Sequence, residues 1–134
     1  MTLKLKPQGE LKLGLTPVKV KIGDFGSDNL YDADFVVDTS AMDSMAPASE
    51  LRRVGIKPVG KREYQLASGE VQEYEYGHAK LWFIDEIIAT TIIFGPENCK
   101  PTLGRIALLT AGYIVDLTTQ VISKLQARPL KRVA

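Results

Sequence analysis

From Gly60 to Gly95 the chain carries β-strand chemistry almost without a break, and this stretch constrains the fold more than any other. Tyr64 and Leu66 lead into Ala67-Ser68-Gly69-Glu70, a polar turn with glycine where a hairpin needs positive φ. Val71 to Phe83 reads as a long return strand and Asp85-Glu86 as a further turn. Ile87-Ile88-Ala89-Thr90-Thr91-Ile92-Ile93-Phe94 is β-branched enough for a central strand, ended by Gly95-Pro96-Glu97-Asn98. A mostly β fold follows.

Upstream, Leu13, Leu15, Val18, Val20 and Ile22 lie among lysines, and Lys19-Val20-Lys21-Ile22 alternates with the period of a half-buried strand. Pro17 argues that this strand is an edge or is interrupted. Gly23 to Asn29 is a turn-rich loop, and Tyr31 to Val37 reads as a second strand that turns fully apolar just before Asp38. In Phe35-Val36-Val37-Asp38-Thr39-Ser40-Ala41 an acid, costly to bury, follows three apolar residues. A strand end with hydroxyl and backbone donors can hold such a charge for catalysis; Asp-Thr-Ser is equally ordinary turn or helix-start chemistry. Pro47, Glu50, Arg52, Arg53 and Gly55 give a short helix good termini. Later, Thr102-Leu103-Gly104-Arg105 precedes Ile106, Leu108, Leu109 and Gly112, which suit a second short helix closed by glycine. Tyr113 to Asp116 and Val121 to Leu125 predict a final hairpin across Leu117-Thr118-Thr119-Gln120. No repeat, low-complexity segment or linker divides the chain, so one domain is expected over residues 1–134.

With 134 residues, 45% hydrophobic and 25% charged, the chain can bury a real core. A net charge of +1 provides no global attraction to nucleic acid or an acidic membrane surface, and Arg128, Lys131 and Arg132 read as a solvated tail. The single Cys99 excludes an internal disulfide, and Met1 with Lys4 and Lys6 shows no apolar run of a secretory signal, so a cytoplasmic location is expected. The apolar run Ile87 to Phe94 is far shorter than the roughly 20 residues of a spanning helix.

The remaining chemical residues point nowhere specific. His78 shares a strand face with Tyr76 and Lys80 and reads as a surface residue, while Cys99 lies in a Pro-bounded loop without an activating pattern. One Cys and one His do not make a familiar zinc site, so no metal is expected. Gly14, Gly23 and Gly26 fit neither a phosphate loop nor a dinucleotide fingerprint. Trp82, Tyr74, Tyr76 and Phe83 lack the basic stripe of a nucleic-acid face, and packing explains them better.

The order of parts resembles the retropepsin-like aspartic proteases, their bacterial and cellular single-domain relatives above all. Val37-Asp38-Thr39-Ser40-Ala41 matches the family's Asp-Thr/Ser-Gly-Ala signature with one departure, Ser68-Gly69 falls at the flap tip, and Leu103-Gly104-Arg105 with Leu108-Leu109-Thr110 matches its hydrophobic-hydrophobic-Gly segment and following helix. These parts span roughly Leu13 to Leu125 and fit a single retroviral-type subunit better than a two-lobed pepsin. The resemblance implies a closed β-barrel subunit with one or two short helices and a flap hairpin, active as a two-fold homodimer. Asp38 of each copy would be catalytic, Thr39 would bond across the two-fold axis, and Leu103, Gly104 and Arg105 would support the loop. Ala67, Ser68, Gly69 and Glu70 would close over a peptide substrate, without any cofactor.

Three positions bear on this reading, Ser40 and Met42 as departures and Ala41 by what it lacks. Ser40 stands where the family almost always has glycine; its side chain either crowds the cleft or donates a further hydrogen bond to Asp38. Ala41 has no hydroxyl to donate to the ionised carboxylate, so if nothing substitutes, the active window moves to higher pH than in relatives with serine or threonine there. Met42 replaces an acid that pairs, in some relatives, with the arginine after the late glycine; Asp43 is the nearest substitute for pairing with Arg105, the other outcome being two independently solvated charges. Two functions follow: a homodimeric aspartic endopeptidase, or a peptide-binding or dimerisation module impaired in catalysis by Ser40.

Overall fold

The computed structural model describes residues 10–12, 17–116, 118–119 and 121–130. Leu13, Gly14, Leu15, Leu117, Gln120, Lys131 and Arg132, invoked above, lie outside them, as do residues 1–9 of the N-terminal tail.

Among the described residues, ten strands and two short helices follow in the order β1 (Glu10–Lys12), β2 (Val18–Gly23), β3 (Leu30–Val37), β4 (Ser44–Pro47), α1 (Ala48–Arg53), β5 (Gly60–Gln65), β6 (Val71–Phe83), β7 (Glu86–Gly95), β8 (Thr102–Leu103), α2 (Arg105–Thr110), β9 (Tyr113–Asp116) and β10 (Val121–Lys124). The hairpin of β5 and β6, the long β6 and the β-branched β7 form as their composition predicts. In β2 the expected alternation appears as burial: Val18, Val20 and Ile22 point inward and Lys19 and Lys21 outward.

The main sheet runs β2-β3-β8-β4-β7-β6-β5, and a further β2–β6 pairing closes six of these strands into a barrel with β5 appended outside. Closure leaves β2 with partners on both sides over Val20–Gly23, β3 on one and β6 on the other. Over Val20–Gly23 the strand is therefore not the edge that Pro17 suggested. Pro17 precedes the first ladder residue, Val18, where its missing N–H removes no ladder bond.

Inside the barrel, Val20, Ile22, Phe35, Leu81, Phe83, Ile92 and Leu103 are fully or almost fully buried in one apolar cluster. Helix α1 adds Leu51 to it and α2 adds Ala107 and Leu108. A smaller sheet, β1-β10-β9, pairs the described N-terminal strand with the C-terminal hairpin. Lys124 ties that hairpin to the β6–β7 turn, donating to both Asp85 carboxylate oxygens at 2.8 and 2.9 Å. Among the described residues no helix is long and apolar enough to cross a membrane.

Candidate active site

Asp38 stands immediately after β3, at the point where the apolar strand opens into a turn. Two distant segments converge on that turn. The two-residue β8 runs parallel to the end of β3, with Val36 opposite Thr102 and Val37 opposite Leu103, and Met45 of β4 pairs with the other side of Thr102. The Asp38 N–H donates to the Leu103 carbonyl at 3.0 Å, and the Ala41 N–H closes the turn on the Asp38 carbonyl at 3.2 Å. The first amides of α2 complete the crossing, Arg105 donating to Ala41 O at 2.9 Å and Ile106 to Met42 O at 3.1 Å.

Gly104 explains why the late motif needs glycine. A Cβ there would lie 2.7 Å from the Asp43 carbonyl carbon and 2.8 Å from the Met42 and Asp43 carbonyl oxygens, all backbone atoms with little room to move. Its N–H, buried with the crossing, donates to Ser44 Oγ at 3.0 Å. Leu103 beside it is fully buried. Leu103, Gly104 and Arg105 thus sit against the loop that carries Asp38.

The Asp38 side chain is half-buried, and one of its oxygens is doubly bonded: Oδ1 accepts the Ser40 N–H at 3.0 Å and the Ser40 hydroxyl at 2.5 Å. Of the two outcomes open for Ser40, its hydroxyl is turned onto the acid. This also removes the premise of the higher-pH expectation drawn from Ala41, because Ser40 supplies the side-chain donor that alanine lacks. Thr39 and Ala41 complete the turn, both half-buried.

Asp43 takes neither course expected of it. It is only 8% exposed, and it meets the strand of the flap hairpin rather than Arg105, which is exposed at the start of α2. The Tyr64 hydroxyl donates to Asp43 Oδ2 at 2.7 Å, and Arg62 Nη1 lies 3.6 Å from the same oxygen. Burial first, and then the Asp43 carboxylate, push the Tyr64 phenol up to about 12, which keeps it a donor. These partners lie 19 and 21 positions away in sequence, too far for local pattern to join them to Asp43. The available signal was their alternation on β5, which places both on one face but does not say what that face meets.

At the hairpin tip, Ala67, Ser68, Gly69 and Glu70 are all exposed, and Gly69 takes the left-handed φ of 91° that the turn requires. Leu66 N–H donates to Glu70 O at 2.7 Å and Gly69 N–H to Leu66 O at 2.8 Å. Cys99 and His78 stay outside the crossing. Burial and then Glu97 push the Cys99 thiol up, away from the thiolate a nucleophile needs, and His78 is exposed on β6 beside Tyr76. Among the described residues no group of three or more His, Cys, Asp or Glu is arranged to hold a metal ion.

No protein-family model matches the chain, and no curated protein matches it. Solved structures do. The simian foamy virus (mac) protease, determined in solution, is similar at a TM-score of 0.51 with 12% identity, over 70% of this chain and 92% of that one. The EIAV protease complexed with the inhibitor HBY-793 is similar at 0.51 with 20% identity, over 76% and 92% respectively. Identities this low speak to fold alone. A closed six-stranded barrel, an aspartate at the end of β3 and a glycine-dependent crossing beneath it, together with these likenesses, make this the retropepsin-like aspartic protease fold.

Proposed function

We propose that the chain is an aspartic endopeptidase acting as a two-fold homodimer, with Asp38 of each copy forming the catalytic pair. The observation that carries this reading is the setting of Asp38: a half-buried carboxylate at a strand end, fixed through Leu103 and held by two Ser40 donors on Oδ1, in the fold shared with two retroviral proteases. Each chain offers one such acid, so a partner copy supplies the second. Two carboxylates brought close share one proton because like charges repel in a partly dry site. The ionised member then takes a proton from the attacking water, and the protonated member hydrogen-bonds the scissile carbonyl, so no covalent intermediate forms. Thr39 reaches across the axis to hold the two loops together. The Ala67–Glu70 turn closes over an extended peptide through main-chain bonds. The barrel and the terminal sheet act as one unit.

The test is cleavage of a degenerate peptide pool between about pH 4 and 7.5, wild type beside Asp38→Asn, with oligomeric state measured in parallel. Cleavage that falls by about 10³-fold or more in the variant, both proteins remaining dimers, establishes the assignment. If folded wild-type dimers cut nothing, the chain is a binding or dimerisation module, and gain of cleavage in Ser40→Gly would show that one side chain had closed the site.

A further inference from the structure

The β5–β6 hairpin is attached to the rest of the molecule very unevenly. Beyond Tyr64, residues 65 and 67–71 are exposed and Leu66 is half-buried. The hydrogen bonds of residues 66–70 stay within the hairpin: Leu66 to Glu70, Gly69 to Leu66, the Glu70 N–H to Ser68 Oγ at 3.3 Å, and Gln65 Nε2 to Gly69 O at 3.5 Å. At Tyr64 the situation changes. Its hydroxyl crosses to Asp43, five residues after the candidate catalytic acid and on the loop that Gly104 packs against.

The face of β5 that carries Tyr64 is built for this contact. Gly60, Arg62 and Tyr64 alternate onto one side of the strand. A Cβ at Gly60 would press to 3.1 Å on the Tyr76 ring; without it, that ring lies where the Arg62 guanidinium stacks over it at 3.8 Å. Arg62, so placed, stands 3.6 Å from the oxygen that Tyr64 also holds, and the Tyr64 ring packs at a tilt on Tyr74, 6.3 Å between centroids. Asp43 needs these partners, since a buried carboxylate without them is strongly disfavoured.

We propose that Tyr64 is the positioning residue of the flap: its hydroxyl on Asp43 sets the point about which the hairpin tip pivots, and so how firmly a peptide is held over the catalytic loop. This deepens the endopeptidase reading and rests on it for the peptide. Three residues of each arm remain beyond the pivot, so roughly 10 Å of hairpin is left to move.

Hydrogen exchange on the full-length protein tests the pivot without requiring activity. In Tyr64→Phe, exchange at residues 66–70 is expected to rise about tenfold while the β6 and β7 amides of the barrel hold their wild-type rates. Asp43→Asn keeps an oxygen that accepts from the phenol and is expected to stay within about twofold of wild type, whereas Asp43→Ala matches Tyr64→Phe. Unchanged tip exchange in Tyr64→Phe, an equal rise throughout the barrel, or Asp43→Asn as fast as Asp43→Ala would each overturn the proposal. With a cleavable peptide, Tyr64→Phe is expected to raise KM more than it lowers kcat, and the reverse split overturns the role in holding substrate. If the wild type cleaves nothing, the endopeptidase reading fails by itself, and the exchange rates still decide the pivot.

Discussion

The crossing beneath Asp38 and the β5–β6 hairpin show two ways of building parts of one candidate site. The crossing gathers β3, β4, β8 and the start of α2, segments far apart in sequence, and joins them with backbone bonds and one buried side-chain acceptor, Ser44. The hairpin is contiguous, exposed over its tip, and tied to the crossing through the polar contacts of Tyr64 and Arg62 with Asp43. The Asp38 carboxyl group, fixed in one orientation by the Ser40 donors, sits in the first. An exposed turn whose hydrogen bonds stay within the hairpin sits in the second. Local stability differs in the same sense, since a segment with few buried contacts opens at low cost.

The contrast breaks most visibly at Gly104. Gly104→Ala forces a methyl group against three backbone atoms and is expected to cost about 3 kcal/mol of unfolding free energy in a urea titration. A variant as stable as wild type would mean that the crossing is looser than its distances imply. Ser44→Ala leaves the Gly104 N–H buried without its acceptor, and about 2 kcal/mol is the expected loss by the same measurement.

The hairpin's link to the crossing is sharpened by alkali. Folding raises the Tyr64 pKa from 10.0 to about 12, so the unfolded chain gives up that proton first. Its stabilising contribution is therefore complete below about pH 10 and disappears as pH rises towards 12. The buried Tyr113 phenol is also pushed up, by burial and then by Asp85 and Glu86, and acts in the same direction. The difference between wild type and Tyr64→Phe isolates the flap contribution: the variant should lose stability less steeply over that range, and parallel curves would remove Tyr64 from the link. The smallest effect belongs to the tip. Ser68→Ala removes one hydroxyl acceptor from an exposed amide and is expected to shift stability by less than about 0.5 kcal/mol.

What could be read from the chain alone was whatever has a local cause. Alternating lysines and apolar residues marked β2, β-branched residues marked β7, and Gly69 with its polar neighbours marked the hairpin turn. Pro47, Glu50 and Gly55 bracketed α1, whose Gly55 takes φ 94° just past the helix. Asp38 was placed at a strand end because three apolar residues precede it. By contrast, β4 was missed: Ser44-Met45-Ala46-Pro47 has no alternation and ends in proline, and it is extended because Met45 lies between Ile93 and Thr102. The two-residue β8 has no signature apart from its partners.

The amino-acid sequence by itself determined that the chain is mostly β, where its long hairpin turns, and which aspartate ends an apolar strand, because each depends on neighbours within a few residues. Tertiary structure alone decided that β2 closes on β6, that the Ser40 hydroxyl turns onto Asp38, and that Asp43 is met by Tyr64 and Arg62 instead of Arg105. Barrel closure and the burial of Asp43 join residues tens of positions apart. For Ser40 the donor is near in sequence, but its direction depends on a turn held by Leu103, 65 positions beyond Asp38.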